Sequence, residues 1–476
     1  MNTVLQIGAG GVGGVVAHKM AMNRDVFHRI ILSSRSIDKC KIIANSIEEK
    51  GLGEIEINSC DASSVDSIIK LINLYRPNLV INVALPYHNL NIMEACLQMG
   101  THYLDTANYE HPNSAHFEYK EQWAFDRKYK EAGLFALLGS GFDPGVTNVF
   151  CSFASKHYFD EIHEIDILDC NAGDHGYAFA TNFNPEINLR EVSSIAKFWS
   201  KEIKECDDLK KDGIYRKFER EKKHFESSDL NLDLEDSAYF GGSWINRAPL
   251  ELMKVWDYPH IGEKNSYLLY HEELESLIRN IKGLKRIRFF MTFGESYLTH
   301  MKCLENVGLL RIDEVDFNGN KIIPMQFLKH LLPDPSTLAP ITKGLTNIGC
   351  YIKGIKDSKK RIIYIYNVCD HEKCFKEVNS QAISYTTGVP AMIGAKLILE
   401  KKWGVNTPKI QNNANNSDMP KGGETQGIDI ANGAGVWNME QNDPDPFMEE
   451  LSKQGLDFEI IEIDENGNKK ILKSAF

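Results

Sequence analysis

Six residues near the start of the chain have the types and spacing to hold a pyrophosphate. Gly8-Ala9-Gly10-Gly11-Val12-Gly13 has the pattern G-x-G-x-x-G and directly follows the apolar run Thr3–Ile7. Gly8 permits a tight turn, Gly10 lets the backbone approach phosphates, and Gly13 lets the following helix lie close to the strand. A helix from Val12 to Met22 aims unpaired N–H groups and the positive end of its dipole at the same place. Gly8, Gly10, Gly11, Val12 and Gly13 are therefore predicted to bind a dinucleotide. A glycine-rich turn without a ligand is the plain alternative.

Three further groups stand where strands are expected to end. Ser33-Ser34-Arg35 closes a second apolar strand, where an NAD site usually has an acidic residue against the adenosine ribose. Small hydroxyls and a guanidinium suit a 2′-phosphate instead, so Ser33, Ser34 and Arg35 point to NADP; a surface arginine that merely follows a strand is the alternative. Asp61, with Ala62 beside it, either meets the adenine edge or caps the next helix. Ala84, Leu85 and Pro86 either form a loop against the nicotinamide or simply start a helix. Further on, Gly139-Ser140-Gly141-Phe142-Asp143-Pro144-Gly145 carries a carboxyl among glycines. Asp143 followed by Pro144 also reads as an N-cap with proline in the first turn. Cys369 and Cys374 bracket His371, but no second ligand pair follows, so no metal is expected.

These groups need a scaffold that brings strand ends together. Strand-like and helix-like segments alternate up to about residue 150: strands at Arg29–Leu32, Glu54–Asn58, Leu79–Val83 and Leu134–Leu138, helices at Ile37–Lys50, Val65–Tyr75 and Asn89–Met99. Such alternation implies an α/β fold, a Rossmann-type doubly wound parallel sheet. A chain of 476 residues exceeds one ordinary core, so a second, α+β domain for substrate and dimerisation is expected. The divisions are 1–150 for the nucleotide domain, 151–385 for the second domain, and 386–404 with 435–456 as a segment returning to the first. Residues 405–434, rich in Asn and Gly, read as a disordered insertion, and 457–476 as a terminal hairpin. Residues 201–235 read as charged helix and surface loop. The polar-aromatic loops Gly176–Glu186 and Gly241–Pro249 are candidates for a substrate wall. The net charge of −12 speaks against nucleic acid. Ten scattered cysteines, no signal peptide and no evident membrane-spanning run point to a cytoplasmic protein without a membrane partner.

The glycine loop, Tyr103-Leu104-Asp105-Thr106 and Gly141-Phe142-Asp143-Pro144-Gly145 resemble the saccharopine dehydrogenase superfamily. Phe179–Glu186, Ser266–Glu273, Tyr364–His371, Thr386–Ala391 and Asp443–Met448 are similar to its carboxynorspermidine synthase family. The resemblance covers about residues 1–404 and 435–456; the insertion and the terminal hairpin look like additions. It implies NADPH-dependent reductive condensation of L-aspartate β-semialdehyde with a diamine, 1,3-diaminopropane or putrescine, in polyamine biosynthesis, by a homodimer. A saccharopine-type dehydrogenase of lysine metabolism and a non-catalytic NADP-binding sensor are the other readings. For that chemistry the residue types nominate Arg247 for the substrate carboxylate. Asp174, Glu186 and Asp236 are nominated for the distant ammonium. Asp143, Tyr87, His88 and His175 are the candidates for moving protons, Asp143 first.

Overall fold

The structure, a computed structural model, describes residues 1–112, 117–202, 214–216, 240–404 and 433–475. Asp236 and nearly all of 405–434 lie outside the described residues. Of the stretch 201–235, the described part includes the short strand Ile214–Arg216.

Short apolar strands separated by helices can pair only through crossovers, and the first domain does this throughout. Its seven strands are all parallel. Their order is Gly435–Asn438, Phe135–Leu138, His102–Asp105, Leu79–Asn82, Thr3–Ile7, Arg29–Ser34 and Glu56–Ser59. The order reverses between Thr3–Ile7 and Leu79–Asn82, the place where such a sheet opens a ligand crevice at its carboxyl ends. The expected helices Val65–Tyr75 and Asn89–Met99 have those same limits.

The glycine-loop helix, Gly11–Met22, is buried from Gly13 to Ala21, because a second helix crosses it. That helix, Ala382–Leu399, approaches closely through small residues: a Cβ on Gly388 would stand 2.6 Å from the Val15 Cβ, and one on Gly394 3.0 Å from Leu137. Its length and apolar composition match a membrane span, which the sequence reading did not register, but 83% of it is buried inside the protein, as in a core helix. It is continuous through residue 385, so the boundary expected there falls inside one rigid element.

The second domain is built on an eleven-stranded mixed sheet. The parallel pair at its centre, Glu161–Asn171 with Arg286–Thr292, is locked by a buried ion pair: Arg288 Nε and Nη2 donate to Asp166 at 2.6 and 2.8 Å. Leu345–Lys356 and Lys359–Asp370 form a hairpin, with Asp357 and Ser358 both at positive φ in its two-residue turn. The terminal hairpin, Phe458–Ile463 with Lys469–Lys473, is no appendage: it extends this sheet and buries Phe458, Ile460 and Ile461. The loop expected at Gly241–Pro249 contains a strand, Ser243–Arg247, paired with Ala196–Ser200.

Candidate active site

The glycine loop is shaped by close packing rather than by composition alone. Gly8 has φ +123°, and its N–H donates to the Ser33 carbonyl at 2.8 Å. A side chain there would collide with the Val83 carbonyl, and one on Gly13 with the Gly8 carbonyl. Around Gly10 the space is open, so the pyrophosphate has room where the helix N-terminus is exposed. Gln6 holds this geometry, its amide donating to the Gly8 and Gly13 carbonyls at 2.9 and 2.8 Å. Sequence reasoning missed Gln6; a polar residue inside an apolar strand was the available signal. A Cβ on Gly11 would stand 2.6 Å from Ser384 Oγ, so the long helix closes the loop from behind, while half-buried Val12 packs on the core.

At the adenosine end Arg35 is exposed just past its strand, and Ser34 is half-buried beside it. Ser33 does not fit the role expected of it. It is fully buried and its hydroxyl donates inward to the Gln6 carbonyl at 2.9 Å, because the last strand positions still face the core. Asp61 Oδ1 accepts from the Ser63 N–H and hydroxyl, at 3.0 and 2.6 Å. Ser64, not Asp61, caps the helix Val65–Tyr75. Ala62 packs on the adjoining core cluster. Burial lowers the pKa of His88, which also feels the charges of Asp61 and Arg35. His88 therefore stands on the adenosine side, away from the chemistry expected of it.

At the nicotinamide edge, the Asn82 side chain accepts from the Ala84 N–H at 3.1 Å and shapes the Ala84–Pro86 loop. Pro86 then opens a single 3-10 turn, Pro86–His88. Asp105, pushed by burial up to about 7, fixes the next loop. It accepts from Tyr103, Gln122 and the Gly139 N–H at 2.9, 2.6 and 2.8 Å. Here the expected N-cap is overturned: the helix begins at Val146, Gly145 is its N-cap, and Asn148 accepts from the Gly145 N–H at 2.8 Å. The Asp143 carboxyl is thereby free of a capping role and turns into a nest of acids.

That nest draws on four separate segments: Asp143, Asp169, Glu191 and the run His271-Glu272-Glu273. Asp143 lies against Asp169, and two carboxyls in contact cannot both stay ionised. Burial and the Asp169 charge raise Asp143 well above the usual range, and burial lifts Asp169 to about 6, Glu191 to about 8 and Glu272 to about 7. His271 stacks on Phe289 and is hydrogen-bonded to Glu273, with Glu191 at 3.7 Å and Glu272 at 3.8 Å. Burial opposes its charge, but Glu273 and Glu272 override that and raise its pKa. One imidazolium does not satisfy five carboxyls. Asp143 Oδ2, Asp169 Oδ1, Glu191 Oε1 and Glu273 Oε1 are buried without a hydrogen-bond donor. Such a nest takes up protons or an organic cation.

Asp169 also forms part of the wall of a cavity of about 240 Å³, with Asp174, His175, Phe179, Asn188 and Tyr297 around it and Ile383 of the long helix at its edge. The expected wall Gly176–Glu186 contributes Tyr177 through Phe183. Asp174 and His175 stand at this cavity, Asp174 accepting from the Gly176 N–H and His175 from the Tyr177 N–H. Burial lowers the pKa of His175.

Other nominated residues lie elsewhere. Tyr87 and Glu186 border a second cavity, of about 280 Å³, with Arg190 between them. Tyr87 accepts from Arg190 at 3.3 Å and burial raises its pKa, so it is not a partner of Asp143. Glu186 accepts from Lys329 at 2.8 Å and stands at this second cavity, away from Asp169 and the first. Arg247 borders neither cavity; its Nη1 donates to its neighbour's carbonyl, Asn246, at 2.8 Å. Among the described residues no group of three or more His, Cys, Asp or Glu is arranged to hold a metal ion.

Two family models account for this architecture. The saccharopine dehydrogenase NADP binding domain matches residues 4–137, and the saccharopine dehydrogenase C-terminal domain matches 141–417. The chain belongs to the saccharopine dehydrogenase family. It is 47% identical over 456 residues to a carboxyaminopropylagmatine dehydrogenase of Synechocystis sp., covering 96% of each chain. It is 38% identical over 477 residues to a carboxynorspermidine synthase of Vibrio cholerae, covering 97% of each. Its fold is that of apo saccharopine dehydrogenase (L-Glu forming) from Saccharomyces cerevisiae, with a TM-score of 0.63 at 13% identity, over 98% of this chain and 100% of that one. The protein is an NADP-dependent oxidoreductase of this family, and the open glycine turn with exposed Arg35 fits the cofactor.

Proposed function

We propose that the enzyme couples L-aspartate β-semialdehyde reductively, at the expense of NADPH, to an aliphatic amine with a second positive charge at its far end. The observation that carries this reading is the nest of four buried carboxylate oxygens without donors beside the cavity at Asp169. An anionic, half-dry recess favours a cation, and aromatic faces at Phe179, Phe293 and Tyr297 add to that preference. We take the far group to be the guanidinium of agmatine. Adjacent carboxyls such as Asp143 and Asp169 match a planar fork of donors, and the 47%-identical relative is named for carboxyaminopropylagmatine. The diamine reading, 1,3-diaminopropane or putrescine, draws on the Vibrio relatives at 38% and 37% identity.

The cofactor, when bound at the glycine loop, supplies hydride. The amine adds to the aldehyde, and the resulting hydroxyl leaves as water only when protonated. That proton comes from solvent, because carboxyls that meet the far cation cannot also reach the reacting carbon of the same adduct. Saccharopine chemistry would bring carboxylates toward this acid nest, and a sensor would have no use for a recess that selects an organic cation. The test is NADPH absorbance with each substrate omitted in turn. Oxidation requiring both aldehyde and amine supports the reading; turnover with 2-oxoglutarate and lysine but with no amine–aldehyde pair overturns it.

A further inference from the structure

The second cavity is electrostatically unlike the first. Its wall is built by Tyr87, Glu186, Arg190, Ile323, Met325 and Gln326. Arg190 is 4% exposed and forms a buried pair with Glu110 at 2.7 Å; it also donates to the Pro112 carbonyl at 2.8 Å and stands 3.6 Å from Glu186. Glu186 in turn is held by Lys329 at 2.8 Å. Two carboxylates and two cations therefore stand here, whereas the acid nest sets five carboxyls against one imidazolium. Yet the group is unsatisfied at its centre, for Arg190 Nε and Glu110 Oε2 are both buried without a hydrogen-bond partner among the described residues.

A recess with a fixed cation beside a fixed anion fits a small zwitterion. It repels neither charge of the ligand, and it offers each a partner. The place is also right. Tyr87 follows the Ala84–Pro86 loop at the nicotinamide edge, and the helix Pro185–Ser193 separates the two cavities, turning Glu186 and Arg190 to one and Asn188 to the other. We propose that this cavity holds the α-amino-acid end of the aldehyde substrate, Arg190 meeting the carboxylate and Glu186 the α-ammonium. This rests on the coupling reaction above and assigns its two substrates to opposite sides of one helix. Glu110, lifted by burial to about 7, then serves as the second acceptor behind Arg190.

The test separates the two substrates kinetically. Arg190→Gln should raise KM for aspartate semialdehyde about tenfold to a hundredfold, the cost of a charge-assisted contact, while KM for the amine moves less than twofold. Because Arg190→Gln leaves Glu110 buried without its partner, Ile323→Phe serves as a second variant, narrowing the cavity with the ion pairs intact. The wild-type enzyme with NADP⁺ should bind the unreactive probe L-2-aminobutyrate by calorimetry, and Ile323→Phe should abolish that heat. An unchanged aldehyde KM in Ile323→Phe, or probe binding that survives it, overturns the assignment and leaves the coupling reaction standing. Probe binding lost in Ile323→Phe, with no coupling activity in the wild type, supports the site and overturns the reaction.

Discussion

Replacing Asp169 by Asn changes the acid nest at the point where it meets the first cavity. Asn is the same size and its amide oxygen can still accept from Asp143, so the perturbation is chiefly the loss of charge. Burial lifts Asp169 only to about 6, so at pH 7 the pair carries its charge mainly on Asp169, with Asp143 protonated. An ionic hydrogen bond to the amine is worth about 1.5–3 kcal/mol, which corresponds to about a tenfold to hundredfold weaker dissociation constant in Asp169→Asn. The wild type should also lose affinity as pH falls through about 6, because Asp169 takes up a proton while the amine stays charged. In the variant the step near pH 6 should vanish, leaving only the steps at about 7 and about 8 from Glu272 and Glu191. Calorimetric titration of agmatine into the NADP⁺ complex between pH 5.5 and 8 measures both effects. An affinity within twofold of wild type at pH 7.5, with the same pH profile, would refute the reasoning.

Arg35→Ala should narrow the preference for NADPH over NADH, read as the ratio of kcat/KM for the two cofactors; an unchanged ratio removes Arg35 from the 2′-phosphate site. Gln6→Leu should weaken NADP⁺ binding, measured by fluorescence titration, because the Gly8 and Gly13 carbonyls lose the amide that ties them together. Arg288→Leu takes from buried Asp166 its hydrogen-bonded cation, so the protein should lose about 3–5 kcal/mol in urea unfolding, and the double change Asp166→Leu, Arg288→Leu should recover most of it. Carboxyls whose pKa is raised on folding give stability that is full below their unfolded value and lost as pH rises through the folded one. For Asp169, Glu272 and Glu191 that loss runs through about 6, about 7 and about 8, so the Tm of the apo-protein should fall from pH 5.5 to 8.5. Saturating agmatine should reduce the fall.

Local signals made the nucleotide half legible. The spacing Gly8–Gly13, the apolar period of each strand and the proline at Pro86 act over a few residues, and the strands and helices stand within a few positions of where the sequence put them. Tertiary facts were not legible. Ser33 and Arg35 look alike as polar residues near a strand end, but Ser33 is still inside the strand and faces the core, whereas Arg35 lies past its last residue and is left in solvent. Asp143-Pro144 has the local form of a helix start, yet packing at Gly141 and Gly145 delays the helix to Val146. The acid nest joins residues more than one hundred positions apart, so no spacing could reveal it. Its trace in the sequence was the run His271-Glu272-Glu273 just after Ser266–Leu269, the buried end of a strand, where charges have no place unless they meet one another. Residue type alone nominates Glu186, and only the structure shows Lys329 and Arg190 already beside it.

The central claim is that the acid nest selects an amine by the charge at its far end. A single competition measures this: wild-type enzyme, NADPH and aspartate semialdehyde with equimolar agmatine, putrescine, 1,3-diaminopropane and propylamine, the products resolved by mass. The account predicts that the agmatine product dominates, that diamine products follow, and that the propylamine product is negligible, because it lacks the second cation. A propylamine product as abundant as that of agmatine would contradict it.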